Sequence, residues 1–542
     1  MSSLGVAFNR PWYYRREVTI QAANDAFTTI GPSPDLPRRF IVVAVCAVFI
    51  LGVFTRIDSL STSLWLDEFG TLWVVEGSFA TMLHRTWEFQ GQSPFYYSLA
   101  WLSVQALGES EIALRTPSLL LSCLTAVMLY VCGRRWSGPG AGLYAAALFW
   151  LPAFSVRYSV EARPYMLVLC TVAVAIAGFV CAVHSGTWRP RIVWILGGAG
   201  VAWTHYVHFP VIVGLYVAYA LLPPLRVHYR VRAFITDAAL QLALVGLCAP
   251  QIVALFNRRA GLSWIDTPNY AVFLEPLVPL AGGIVIGLMQ PWRDDSRPIK
   301  AALANALLIC VLFHIVVIES ASMLGMNLLN IRYFVSILIP ATLFVAVTLA
   351  RVSTAAVVSI LTVFALATAT PLIVAKKLTG TFSGLGIQNW GDAVQDVSGR
   401  IQNEPKPLVF FRSGFVEEDN VPLGAPPPTT LAPLRSPGER PFRAPVIPLN
   451  YRWAHPFRET YFDERIAPLI DSAGHFFVLG TRIDPGGGSY MDLFAGWVNS
   501  KWPSRFTVAR TDYGRVELLE FRARTAPPDA YSGRRGGPAP AL

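Results

Sequence analysis

The chain has 542 residues, 54% of them apolar and 14% charged, and a formal net charge of +10. Helices of a soluble globule carry one apolar stripe and one polar stripe, whereas these long runs are apolar all round, so the composition points to a polytopic membrane protein. The seven cysteines (Cys46, Cys123, Cys132, Cys170, Cys181, Cys248 and Cys310) all fall in apolar runs, where they read as small core hydrophobes rather than a disulfide framework.

Residues 1–39 are polar, contain "RPWYYRR" and end in Arg38 and Arg39, which reads as a cytoplasmic N-terminal segment. The first apolar run begins only after it, so no cleavable signal peptide is expected and the first span stays in the chain. Runs of roughly 17 to 25 apolar residues place eleven membrane helices near 40–57, 116–132, 140–156, 165–183, 192–203, 209–222, 234–252, 272–290, 300–318, 333–350 and 353–374. The fifth and sixth are short and flank a polar "WTHYVHF" turn. With the N-terminus inside, the turns "GRRWSG", "SGTWRPR", "RVHYRVR" and "PWRDDSRPIK", together with Arg351, face the cytoplasm, as basic loops prefer to do. Much of the net positive charge is thereby accounted for by orientation, and no nucleic-acid partner is implied. The stretch "SPFYYSLAWLSVQAL" is apolar enough to span, but a crossing there inverts every later loop. It is expected as a helix along the outer membrane surface, within a large first outer loop at 58–115.

Beyond Lys376 and Lys377 the composition changes. Strand-like runs ("PLVFFRS", "HFFVLGT", "RVELLEF") alternate with helical ones ("GDAVQDVSGRI", "SYMDLFAGWVNS"), which predicts a small α/β domain over 376–524 on the extracytoplasmic side. Its aromatic stretch Leu449 to Phe462 suits either a glycan-stacking surface or the domain's own core. Residues 525–542 read as a disordered tail. The expected fold class is therefore an α-helical polytopic membrane protein of about eleven transmembrane helices with a small C-terminal extracytoplasmic α/β domain.

Two adjacent carboxylates, Asp67 and Glu68, stand in the first outer loop. Taken alone they suit a solvated helix start as well as a catalytic site. The other outer loops add Arg157, Glu161, Arg163 and Tyr165 from one turn, His205, Tyr206 and His208 from a second, and Arg332 and Tyr333 from a third. An arginine fork matches phosphate oxygens, so the set suits a phosphorylated, sugar-bearing ligand held at the membrane face, although each residue alone also serves as an interface anchor.

The ordered series "LWLDEFGT", "GQSPFYYSLAWLSVQALGESEIALRTPSLLLSCL", "GRRWSG", "YSVEARPYML", "THY" and "NIRYFVSILIP" resembles the GT-C-type membrane glycosyltransferases over residues 40–375. Within them it is most similar to the protein O-mannosyltransferase and lipid A aminoarabinose transferase superfamily, with its RgtA/B/C/D-like bacterial members. The resemblance implies transfer of a sugar from a polyprenyl-phosphate donor to an acceptor (glycan, lipid or protein) at the outer face of the plasma (inner) membrane. It also implies Asp67 as general base with Glu68 beside it, Glu161 as the assisting acid, and the outer arginines as donor-phosphate ligands. A single displacement with inversion follows from one base and one good leaving group. Where relatives carry a basic residue before two prolines, this chain has Gln92, Ser93 and Pro94, and Gln92 takes the substrate-binding position. No cofactor is certain, and the basic or metal-binding group missing at Gln92 puts a divalent metal in doubt: His205 could ligate one in principle, but beside Tyr206 it reads as a hydrogen-bonding loop residue. A lipid-linked sugar transporter or flippase is the alternative, but such proteins place key ionisable groups near mid-bilayer and often show internal repeats. A catalytically inactive scaffold is a third reading, disfavoured by the retention of Asp67, Glu161 and Arg332.

Overall fold

A computed structural model of the chain describes residues 38–87, 93–249, 298–326, 328–351, 369–385 and 388–402 and most of 404–524. Gln92, all of the expected span at 272–290 but Ala281, most of that at 353–374, nearly all of the N-terminal segment and the tail at 525–542 lie outside the described residues. The chain forms two compact units: one takes the sequence up to Thr62 and again Val74–Leu385, and the other takes Ser63–Trp73 and the chain from Gly386 onward.

The first unit is a helical bundle. Its helices are α1 (Arg38–Leu60), then, after α2 (Leu66–Val75), α3 (Phe79–Arg85), α4 (Pro94–Leu107), α5 (Glu111–Ser137), α6 (Pro139–Trp150), α7 (Ala153–Ser159) and α8 (Tyr165–Ser185). There follow α9 (Trp188–His205), α10 (Pro210–Leu221), α11 (Val231–Gly246), α12 (Pro298–Ala321) and, after a 3₁₀ turn at Ile331–Ile337, α13 (Leu338–Leu349). Among the described residues five helices are long and apolar enough to cross a membrane, or up to seven if each bent pair counts as one span. The chain is thus an integral membrane protein. One bent pair joins α6 and α7 at 69°, where Pro152 interrupts the run, and the other joins α9 and α10 at 119° across the "YVHF" turn. Helix α4 has 14 residues, about 21 Å at ~1.5 Å per residue, which is short of a hydrocarbon core of about 30 Å.

Lipid gives helices no hydrophobic reason to associate, so close backbone approach at small residues does the work. Helices α8 and α9 meet in this way: a Cβ on Gly178 would lie 2.4 Å from the Trp194 nitrogen, and one on Gly197 would lie 2.6 Å from the Ala175 nitrogen. The helix ends sort into two sets. At one end Arg56 of α1 meets Ser159 of α7, and Ser118 of α5 meets the carbonyl of Glu161. At the other, Lys300 of α12 donates to the Trp136 carbonyl of α5, and Arg191 pairs with Asp237 at 2.6 Å.

The second unit contains a five-stranded mixed sheet, β1 (Val409–Arg412), β2 (Val446–Pro448), β3 (His475–Thr481), β4 (Phe506–Tyr513) and β5 (Val516–Ala523), in the order β2-β1-β3-β5-β4. The first three strands are parallel, while β5 runs antiparallel to β3 and β4. Strands β1, β3 and β5 coincide with the three strand-like runs, and helices α14 (Trp390–Ile401) and α15 (Tyr490–Lys501) with the two helical ones. Strand β3 is buried on both faces, as a central strand should be, and its Phe476 stacks on Phe521 with ring centroids 4.6 Å apart. The aromatic stretch divides unequally between its two readings. Leu449, Tyr451, Tyr461 and Phe462 are buried in the sheet's core, while Phe457 is exposed.

Candidate active site

The acidic pair belongs to the second unit. Four backbone N–H groups at the start of a helix lack intrahelical partners and must be supplied with others. In α2 the Trp65 carbonyl accepts from the backbones of Glu68 and Phe69, and the Glu68 carboxylate reaches back to accept from the Trp65 N–H at 3.3 Å. This is the returning half of a capping box, with Glu68 in the position that glutamate favours. The next donor, Leu66 N–H, goes to Oε1 of Gln388 at 3.0 Å. Neighbours in sequence, the two carboxylates therefore differ in setting. Glu68 is fully buried and closes its own turn, whereas Asp67 is partly exposed in the first helical turn.

In the membrane unit, the three separate turns singled out in the sequence meet. Arg157 lies 3.8 Å from Glu161, whose side chain is 1% exposed, and the Arg163 N–H donates to the Glu161 carbonyl at 2.8 Å, folding the "EAR" turn tightly. That carbonyl also accepts from Ser118 Oγ at 2.7 Å, and Ser118 pairs with the Tyr96 hydroxyl at 2.9 Å, so α4 and α5 fix the turn from behind. Tyr158 and Tyr165 pack edge to face at 4.8 Å, and the charges of Glu161, Arg332 and Arg157 all act on the Tyr158 hydroxyl. Arg332 therefore joins a loop some 170 positions earlier in sequence. It is held by Asn330, whose side chain accepts from the Arg332 N–H at 3.1 Å and starts the 3₁₀ turn.

The histidine turn completes the cluster. His205 has Tyr206, His208 and Tyr333 around it, with ring centroids 5.7, 5.0 and 5.8 Å away, and the charge of Arg163 acts on it. His208 shares a hydrogen bond with Ser336 at 3.1 Å and lies parallel to His314, which bonds to the Tyr333 carbonyl at 2.8 Å. Among the described residues no group of three or more His, Cys, Asp and Glu side chains is placed to hold a metal ion. Glu161, Arg157, Arg163, Tyr165, His205, Tyr206, Arg332 and Tyr333 thus form one cluster in which three guanidinium groups accompany a single carboxylate. Such a cluster has the charge and the donor geometry to take up a phosphate.

Sequence reasoning passed over Arg56, Ser118, His314 and Gln388. The signal for Arg56 was present, because an arginine inside an apolar run has to find partners. It does so by donating to Ser159 Oγ at 2.7 Å and to the carbonyls of Gly52 and Trp150 at 2.6 and 2.9 Å, with its guanidinium carbon 3.8 Å from the Trp150 ring centre.

Residues 91–253 match the family model described as dolichyl-phosphate-mannose-protein mannosyltransferase. No curated protein sequence matches the chain. Among solved structures, ArnT from Cupriavidus metallidurans in the apo state is similar with a TM-score of 0.52 and 12% identity, over 89% of this chain and 97% of that one. The Archaeoglobus fulgidus oligosaccharyltransferase in its apo form is similar with a TM-score of 0.50 and 12% identity, over 82% of this chain and 70% of that one. At these identities the likeness is one of fold.

Proposed function

We propose that this chain, a membrane glycosyltransferase of the GT-C type, moves a sugar from a polyprenyl-phosphate donor to an acceptor at the outer face of the plasma membrane, with inversion and with Asp67 as general base. The observation that carries the reading is the convergence of Arg157, Arg163 and Arg332 with Glu161, His205 and Tyr333 from three turns. A group of guanidinium ions, one of them buried and two partly exposed, suits a donor whose phosphate becomes the leaving group, and the matching family is described by a dolichyl-phosphate-linked donor. The end of the bundle opposite the cluster carries Arg134, Arg135, Arg189, Arg191, Arg230 and Arg232, which by the distribution of basic loops is the cytoplasmic end.

In the reaction the acceptor hydroxyl oxygen attacks the anomeric carbon while Asp67 takes its proton. The bond from that carbon to the phosphate oxygen breaks, the electron pair leaves with the lipid phosphate, and the arginines stabilise the departing anion. Partial exposure suits Asp67 to this task, and burial suits Glu68 to holding the turn. The test is transfer by the purified chain in lipid nanodiscs, with a panel of undecaprenyl-phosphate sugars as donors. Asp67→Asn should abolish transfer yet bind donor as wild type does, whereas Arg163→Ala and Arg332→Ala should weaken donor binding by roughly tenfold or more, the scale of a charge-assisted hydrogen bond. Undiminished turnover by Asp67→Asn removes the base assignment. Unchanged donor affinity in both arginine variants returns those residues to the role of helix anchors.

A further inference from the structure

We infer that Gln388, in the C-terminal unit, is a positioning residue for the reaction: it builds the first turn of the helix that carries Asp67. The inference rests on the reading of Asp67 as base. Its geometry is a reciprocal clasp between two helix starts. Gln388 Oε1 accepts the Leu66 N–H at 3.0 Å at the start of α2, and Ser63 Oγ, just before α2, accepts the Gly391 N–H at 3.2 Å at the start of α14. Each helix start thus receives from the other an acceptor for a backbone donor that its own turn cannot satisfy.

Gln388 is itself held in place. Its backbone bridges to Gly514 on the β4–β5 hairpin, and the next N–H, that of Asn389, donates to the Tyr513 carbonyl at 3.2 Å. The Trp390 indole N–H donates to the same Oε1 at 3.3 Å. Two donors on one oxygen fix which way the amide faces, because the flipped amide would present an NH₂ group to both of them. Gln388 and Trp390 are 5% and 0% exposed, so water does not substitute readily for the acceptor. Asp67 is the residue immediately after Leu66, and its carboxylate can move no further than the turn allows. The sheet of the C-terminal unit therefore sets the position of the base.

The experiment compares full-length Gln388→Leu, Gln388→Glu, Ser63→Ala and Asp67→Asn with wild type in nanodiscs. Hydrogen–deuterium exchange is read over residues 63–75, and kcat and KM are measured with whichever undecaprenyl-phosphate sugar wild type turns over. Gln388→Leu should exchange about tenfold faster at Leu66 to Phe69, as expected for loss of a cap. Its kcat should fall by roughly tenfold or more while KM for the donor stays within about twofold, since only the base is displaced. Gln388→Glu keeps the acceptor oxygen and should restore both readouts, and Ser63→Ala should show a smaller change in the same direction. Wild-type exchange over 63–75 in Gln388→Leu overturns the inference. So does wild-type kcat in that variant when Asp67→Asn is inactive. Active Asp67→Asn defeats the base reading instead, and the exchange data then decide separately whether the clasp exists. If Gln388→Leu does not fold, Ser63→Ala carries the same comparison from the other side of the clasp, and wild-type exchange and kcat in that variant overturn the inference.

Discussion

Replacing Arg56 tests how the membrane unit holds its cluster. The guanidinium is 1% exposed and spends its donors on two carbonyls and the Ser159 hydroxyl, with a longer bond to the Thr55 hydroxyl at 3.3 Å and an indole face beneath it. Counting its three bonds under 3 Å at about 1.5 kcal/mol each, and a cation–π contact of about 1 kcal/mol, the sum is roughly 5 kcal/mol gross. Several kcal/mol of that is returned when the buried charge is removed, because its desolvation is no longer required. The acceptors are not wholly orphaned either: Gly52 O keeps a bond from Thr55 Oγ1 at 2.9 Å, and Ser159 Oγ still donates to Val156 O at 2.7 Å. Arg56→Met should therefore cost about 1–3 kcal/mol. Arg56→Lys should cost at least as much, since a buried ammonium keeps the charge but cannot fork to three acceptors. Because Arg56 ties α1 to the turn that carries Arg157, both variants should also lose donor affinity, read by binding of a fluorescent undecaprenyl phosphate. Thermal unfolding monitored by tryptophan fluorescence gives the stability order. A lysine variant as stable as wild type, or a methionine variant with both stability and affinity intact, refutes the reasoning.

Glu68→Gln keeps an acceptor for the Trp65 N–H and should retain most turnover, whereas Glu68→Ala loses the cap and about 1 kcal/mol; a Glu68→Gln variant as inactive as Asp67→Asn would make Glu68 a proton acceptor rather than a cap. Gly178→Val places a branched side chain where a Cβ already lies 2.4 Å from the Trp194 nitrogen, so α8 and α9 must part at a cost of about 3 kcal/mol, visible as loss of the monodisperse peak in size-exclusion chromatography. In the C-terminal unit, burial raises the Asp396 carboxyl, but hydrogen bonds from Arg400 and Tyr513 outweigh it and hold the group below the usual carboxylate range. Its folded value lies below its unfolded one, so its contribution is complete above about pH 4 and is lost as pH falls through the depressed value. Exchange over residues 390–401 should accordingly quicken below about pH 4, and Asp396→Asn should remove that part of the acid response; an identical acid response in the variant rules the pairing out as its source.

The cluster in the membrane unit was legible because its residues are conspicuous. In a chain this apolar, "RYSVEARPY", "THYVH" and "NIRY" stand out at the ends of hydrophobic runs, and alternating crossings from one terminus bring such ends together. The strands of the C-terminal unit were legible for a related reason, since "FFVLG" and "VELLEF" are bounded by turn residues. The clasp on α2 was not. Nothing local to Leu66 marks Gln388 as its partner, and an exposed loop is the ordinary expectation for a carboxylate pair beyond a first span. The capping role of Glu68 was also hidden, because a capping glutamate and a catalytic one are identical in sequence and differ only in where the side chain turns. The stretch from Leu449 to Phe462 stayed ambiguous for a simpler reason: aromatic rings that suit a glycan suit a protein core equally well, and only burial separates the two.

The clasp also fixes the order in which the protein can become complete during its synthesis. Leu66 and Gln388 are 322 positions apart, and Ser63 and Gly391 are 328 apart. At translation rates of about 5–20 residues per second, the segment bearing Asp67 leaves the ribosome roughly 15 to 65 s before its partner does. Throughout that interval the membrane helices are being inserted while α2 still lacks the acceptor that closes its first turn. A chain truncated before Gln388 would carry every arginine of the cluster and every described span, yet would leave the helix of Asp67 without that support. On the proposed function, catalytic competence would then arrive last, after the sheet domain has folded, and a nascent chain would hold the arginine cluster before the helix of Asp67 is complete.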